Sequence, residues 1–238
     1  MITIYTITYN EEALMQFMID HYRNRFPGCR IVVYDNNSTD RTPEICTANG
    51  CEIRHYNANN QLDDGLHMRI KNTCWKDANT DWVLMCDLDE LLEINEEQLK
   101  QEEAAGVTRI KSEAWTLVNM VDDVSHEALA KIDGGFRDPG YDKFLLFNKK
   151  HIKEINYHPG AHGCNPIGHI VDSKIYYLYH YQYIHADIFV SKRMETAKRL
   201  SAANKKNGWG VPQVSGTEQD KRNDFKYRRD HIVKAPGK

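Results

Sequence analysis

The sequence is short of several things. No run approaches the ~20 consecutive apolar residues that span a bilayer. The opening MITIYTITYNEE has neither the basic start nor the apolar stretch of a secretory signal. The chain therefore reads as cytoplasmic, with no transmembrane segment, although a partner could still bring it to a membrane surface. Charge of one sign is also lacking: the formal net charge is −3. That gives no global electrostatic case for nucleic acid or an anionic membrane as partner. Cysteines are few, at 29, 46, 51, 74, 86 and 164, with no CxxC pair. Their spacing fits no disulfide framework, and they read as free thiols in a reducing compartment. Internal repeats and low-complexity tracts are absent. What remains is a 238-residue chain, 41% hydrophobic and 27% charged, the composition of one large globular domain or one domain with an appendage.

The first half alternates. Residues 2–8 (ITIYTIT) and 31–35 (IVVYD) are β-branched and aromatic, which predicts strands. Residues 51–56 make a weaker strand, and 82–86 (WVLMC) an apolar buried one. Between them, Asn10 is the expected cap of a helix carrying Leu14, Phe17, Met18 and Tyr22. Thr42-Pro43-Glu44 opens a second helix, and 63–78 a third. The order β-α-β-α-β-α-β predicts an α/β fold with a mainly parallel central sheet flanked by helices. Ligands bind such sheets at the carboxyl ends of the strands. Asn10, Asp35 and Asp87 all fall there.

Further on, 95–105 is an acidic helix, 107–118 a strand, and 122–141 a polar loop. KFLLF (143–147) and KIYYLYHY (174–181) are strands, and 188–205 is a helix. The globular domain is expected to span 1–205. Residues 206–238 read as a C-terminal extension or a linker within a larger multidomain chain, and the stretch from Ser215 as a loose tail.

The apolar strand 82–86 runs directly into Asp87, Asp89 and Glu90. Carboxylates crowded at a strand end repel unless something positive lies among them. In Asp87-Leu88-Asp89 the two acids share one side of an extended backbone. Two hard oxygen ligands there suit Mg²⁺ or Mn²⁺, which takes its remaining ligands from water and phosphate. The plain alternative is a strand end leading into a helix cap.

TITYNEE after the first strand, VVYDNNSTDRT after the second and WVLMCDLDE after the fourth together resemble family-2 glycosyltransferases of the GT-A fold. Asn36 replaces one acid of the usual second motif, and the resemblance extends more loosely to residue 205. It implies a nucleotide-sugar donor, a UDP-sugar first among candidates, and a glycan or other hydroxyl acceptor reached with inversion. In its terms Thr8, Asn10, Glu12 and Asp35 hold the nucleoside, Arg69 reaches the nucleotide, and Asp87 binds the ribose or the metal through water. Asp89 is the direct metal ligand, joined by His180 of YLYHY. Arg69 has the equally simple reading of an exposed helix arginine, and His180 that of a packed histidine.

An inverting transferase needs a base for the acceptor hydroxyl. Asp142 is the candidate, with Asp138, Glu113 and Asp122 as rivals; the acidic pair many family members carry on the acceptor side is not evident. His158, His162, Cys164 and His169 match no structural zinc spacing. That turn-rich segment reads instead as a pocket loop with His162 facing the sugar or acceptor. The basic residues between 188 and 206 form a solvated face or a flank for the diphosphate. Trp209 of NGWG is placed to stack on a sugar. Two other functions compete. One is an aspartate-nucleophile phosphatase, whose strand-end DxD belongs after its first strand. The other is a nucleotide-sugar or carbohydrate-binding domain without turnover.

Overall fold

The computed structural model describes residues 1–238. Seven elements in strict alternation open the chain: β1 (Ile2–Thr8), α1 (Glu12–Arg25), β2 (Arg30–Asp35), α2 (Thr42–Ala48), β3 (Glu52–His55), α3 (Asp64–Thr73) and β4 (Trp82–Met85). The second half follows with β5 (Glu90–Leu92), α4 (Glu96–Ala104), β6 (Arg109–Val118), α5 (His126–Ala130), β7 (Gly134–Arg137), β8 (Leu146–Asn148), β9 (Ile152–Glu154) and β10 (Ile167–Gly168). Then come β11 (Asp172–Tyr183), α6 (Ala186–Arg199), α7 (Ala202–Asn207), α8 (Val211–Val214), α9 (Glu218–Asp230) and β12 (Val233–Lys234). No helix is long and apolar enough to cross a membrane.

The strands pair in the order β12-β7-β6-β8-β4-β1-β2-β3. The β4-β1-β2-β3 half is wholly parallel. β8 joins it to the other half by antiparallel pairing with β4 and β6. Beside β6 runs β11, in parallel, and β5 pairs antiparallel with β11. This is the expected α/β arrangement, with a parallel half flanked by helices. Period-two alternation divides the core between two faces. Ile2 and Ile4 of β1, with Trp82 and Leu84 of β4, pack toward α1. Tyr5, Val83 and Met85 face the other way, onto Trp75, Phe147 and Tyr157.

Several local expectations are corrected. Asn10 does not cap α1: it adopts φ 53° and Glu11 takes the cap position. Only Leu146–Asn148 of the KFLLF region pairs as a strand, because Lys143 turns into a buried ion cluster. The 122–141 loop contains α5 and β7. The 188–205 helix is two helices, broken at Leu200, with Ser201 accepting from the Asn204 N–H to start α7. The stretch from Ser215 is no loose tail. Thr217 and Asp220 form a capping box, and Phe225 of α9 is buried against Tyr183 and Phe189. All six cysteines are free thiols.

Candidate functional site

A cleft of about 770 Å³ opens at the carboxyl ends of β1 and β4. Its walls are the loop after β1, the acidic stretch after β4, the inner side of α3, the 159–162 turn, and α6 with Trp209 beyond it.

The loops after β1 and β2 are clasped together. Asn10 Oδ1 accepts from the Thr39 N–H at 2.8 Å, while the Asn10 N–H donates to Ser38 Oγ at 2.9 Å. Glu12 Oε2 accepts from the Arg41 N–H, and the Glu12 N–H donates to Asp40 Oδ2, both at 3.0 Å. Below the clasp, Asp35 is 2% exposed. Its carboxylate accepts from the Ser38 N–H at 3.1 Å and from Thr8 Oγ1 at 3.4 Å. Thr8, Asn10 and Glu12 line the cleft; Asp35 does not, and Asn36 lies there instead. The acids and amides of these motifs thus hold the loops in shape.

The floor answers the question of what relieves the carboxylates after β4. Lys71 Nζ meets Asp87 Oδ1 at 2.6 Å, and Lys143 Nζ meets Asp87 Oδ2 at 3.1 Å and Glu90 Oε1 at 2.5 Å. Lys192 Nζ lies 2.7 Å from Glu11 Oε1 and 3.5 Å from Asp89 Oδ2. His180 Nε2 stands 3.6 Å from the same Asp89 oxygen. Desolvation works to raise the pKa of Asp87, but Lys71 and Lys143 outweigh it and hold the acid ionised well below the usual range. For Asp89, Lys192 and then His180 likewise outweigh desolvation, and its pKa is lowered. Glu90 differs. Burial dominates over Lys143 and raises its pKa, and its Oε2 is enclosed without a partner.

Lys71 replaces Arg69 as the basic group that α3 sends into the cleft. Arg69 is exposed and outside the lining, while Lys71 is 4% exposed and inside it. Lys71, Lys143 and Tyr141 had no signal of their own in the sequence, since each depends on which way its segment faces. Of the basic residues between 188 and 206, Lys192, Arg193 and Arg199 line the cleft, with Arg199 over the ring of Tyr9.

His162 also lines the cleft, and Trp209 stands at its edge near Gly210. The His162 Nδ1 lies 2.8 Å from the Gly140 carbonyl. Tyr141 separates two imidazoles, edge-on to His162 at 4.9 Å and tilted against His180 at 4.3 Å.

Asp142 is not brought to the cleft. Its Oδ1 accepts from the Ala114 N–H at 2.8 Å, and Arg137 takes Oδ2. Its rivals are similarly occupied. Asp138 accepts from Thr116 Oγ1 at 3.2 Å, Glu113 faces Trp115 Nε1 at 3.1 Å, and Asp122 pairs with Arg229. No group of three or more His, Cys, Asp or Glu side chains is gathered as a metal site, the 158–169 segment included.

Residues 3–101 match the model of the family described as Glycosyl transferase family 2. No curated protein matches the sequence. Among solved structures, S. aureus TarS is similar at 16% identity over 86% of this chain and 41% of that one, with a TM-score of 0.46. TarS 1-349 in complex with UDP-GlcNAc is similar at 15% identity over 94% and 79%, with a TM-score of 0.45. Glucosyl-3-phosphoglycerate synthase from Mycobacterium tuberculosis, in complex with Mn²⁺, UDP and glucosyl-3-phosphoglycerate, is similar at 16% identity over 68% and 62%, with a TM-score of 0.40. The chain spans less than half the length of the TarS structure. Residues 3–101, which hold the three strand-end motifs, are thus similar to family-2 glycosyltransferases, on a mainly parallel α/β sheet.

Proposed function

We propose that the chain transfers a sugar from a nucleoside-diphosphate sugar, a UDP-sugar first among candidates, to a hydroxyl of a glycan or other acceptor, with inversion. The observation that carries this reading is the facing pair Asp89 and His180, 3.6 Å apart, in a cleft at the strand ends of the region that matches the family. One carboxylate oxygen and one imidazole nitrogen fit two positions on Mn²⁺ or Mg²⁺, with phosphate and water supplying the rest. A divalent ion held there would supply positive charge for the leaving diphosphate. Asp87 is not assigned as a ligand: Lys71 and Lys143 already balance its charge, one on each oxygen. Its role is to fix the Lys71 ammonium beside the donor. Lys71, Arg193 and Arg199 add positive charge for the diphosphate, and Trp209 offers a ring face to the sugar. The loops after β1 and β2, held by the Asn10–Thr39 and Glu12–Arg41 bonds, shape the nucleoside end. The phosphatase reading needs a strand-end carboxylate free to attack phosphorus, and Asp87 has neither oxygen free.

A thermal-shift screen of UDP, GDP and dTDP and their sugars, each with Mn²⁺, Mg²⁺ or chelator, tests the proposal, because a ligand that binds only the folded state raises its melting temperature. The expected result is stabilisation by UDP with Mn²⁺ that chelator removes. No shift with any nucleotide and cation rejects it.

A further inference from the structure

The transferase reading leaves the acceptor proton without a destination, since Asp142 and its rivals are bound elsewhere. Most groups of the cleft that could take it are already engaged. Asp87 and Glu90 are tied to Lys71 and Lys143, and Asp89 and Glu11 to Lys192. Glu12 and Asp40 belong to the loop clasp. Asp64 accepts from Asn204 Nδ2, and Asp187 pairs with Arg222. His67 is bonded to Tyr56 Oη and His180 faces Asp89. His162 Nε2 and the carboxylate of Glu195 remain. Glu195 is exposed on α6 with nothing to orient it. His162 is oriented twice, by the edge of Tyr141 and by the Gly140 carbonyl.

That second contact fixes the tautomer. A carbonyl oxygen only accepts, so at 2.8 Å the His162 Nδ1 must carry the proton. Nε2 then presents a bare lone pair, on a ring that lines the cleft one tyrosine away from His180. We propose that His162 Nε2 is the general base of the transfer. The acceptor O–H gives its proton to Nε2 as its oxygen bonds to the anomeric carbon. The bond from that carbon to the diphosphate oxygen breaks, and its electron pair leaves with the diphosphate. The charge of Lys143, with that of Lys71, favours return of the imidazolium to the neutral form. Partial desolvation and Lys143 push the pKa of His162 down to about 4. That keeps the base unprotonated at neutral pH, with the basicity of an ordinary carboxylate.

The inference rests on the transferase reading, and one set of assays separates the two. Wild type, His162→Asn and Glu195→Gln are compared for UDP binding with Mn²⁺ and for UDP release from UDP-, GDP- and dTDP-sugars, with water or azide as nucleophile. Asparagine keeps a donor for the Gly140 carbonyl and removes Nε2; His162→Gln, which loses that donor, is the second variant. Expected for His162→Asn are unchanged UDP binding, a fall in hydrolysis of at least about 100-fold, and recovery with azide, which has no proton to lose, as an inverted glycosyl azide. Hydrolysis by both His162 variants within about tenfold of wild type, or loss of hydrolysis in Glu195→Gln instead, overturns the role of His162 alone; a retained product overturns that role and the proposed inversion. Failure of the wild type to cleave any of these sugars overturns the transferase reading and this inference with it.

Discussion

Lys71 and Asp87 meet at 2.6 Å on the cleft floor, so an acid that the motif offers to a ligand is instead the counter-ion of a buried lysine. Lys143 closes the cluster on the other side by joining Asp87 to Glu90, and it and Glu90 are each 1% exposed. Removing one partner of such a buried pair leaves an unpaired charge, which costs about 3–5 kcal/mol. Lys143→Met is therefore expected to destabilise the fold by that amount in urea unfolding. Lys71→Met, with its partner Asp87 partly open to solvent, is expected to cost less while weakening donor binding. Equal midpoints for Lys143→Met and wild type would contradict the cluster.

Asp89 tests the metal role proposed for it. Asp89→Ala is expected to abolish Mn²⁺-dependent UDP binding while leaving circular dichroism unchanged, since its side chain holds no backbone group. Asp142→Asn is expected to keep transfer within about tenfold, because that acid lies outside the cleft and serves the Ala114 N–H and Arg137. Calorimetric titration of UDP with and without Mn²⁺ checks the first, and initial rates the second. UDP binding by Asp89→Ala that still depends on Mn²⁺ moves the metal elsewhere.

The parts legible in the sequence are those decided locally. β1 and β4 are buried on both faces, so β-branched composition and an unbroken apolar run found them and placed the acidic stretch at a strand end. Arg69 and Lys71 show where local reasoning stops. Each is one residue, about 100° of helix, from Ile70, on opposite flanks of the stripe Leu66, Ile70 and Cys74. Only the fold decides which flank meets the cleft. Asn10 and Asp87 lie just past strand ends, but their partners come from distant segments: Thr39 for Asn10, Lys143 for Asp87. His162 was read as facing the pocket, and it does line the cleft. Its free nitrogen follows from the Gly140 carbonyl, which no spacing rule announces.

His21 sets a pH dependence away from the site. It is 9% exposed, and its Nε2 donates to the Leu92 carbonyl at 3.1 Å. Burial, with Arg25 nearby, pushes its pKa down to about 3. The folded state thus holds a neutral imidazole that the unfolded chain protonates near its ordinary value of 6.5. A depressed histidine contributes stability that is present above pH 6.5 and lost as pH falls from there toward 3. Between pH 7 and 5 this contribution is expected to cost about 2 kcal/mol. Urea unfolding at the two pH values should show that loss in the wild type and a flatter response in His21→Gln.

The last helix tests whether the C-terminal segment is part of the domain. Phe225 of α9 is 3% exposed and packs at 5.7 Å from the ring of Tyr183 and 5.9 Å from that of Phe189. Phe189 lies on α6, which also supplies Lys192 to the cleft. Tyr183 Oη adds a bond to Asp224 at 2.7 Å. Deleting a buried phenylalanine side chain costs about 3–5 kcal/mol. Phe225→Ala is therefore expected to lower stability by that amount. Because α9 braces α6, removal of residues 215–238 should also weaken nucleotide binding, although none of the removed residues lines the cleft. If the shortened chain melts and binds UDP like the full one, α9 contributes nothing to the cleft wall and the segment is an appendage after all.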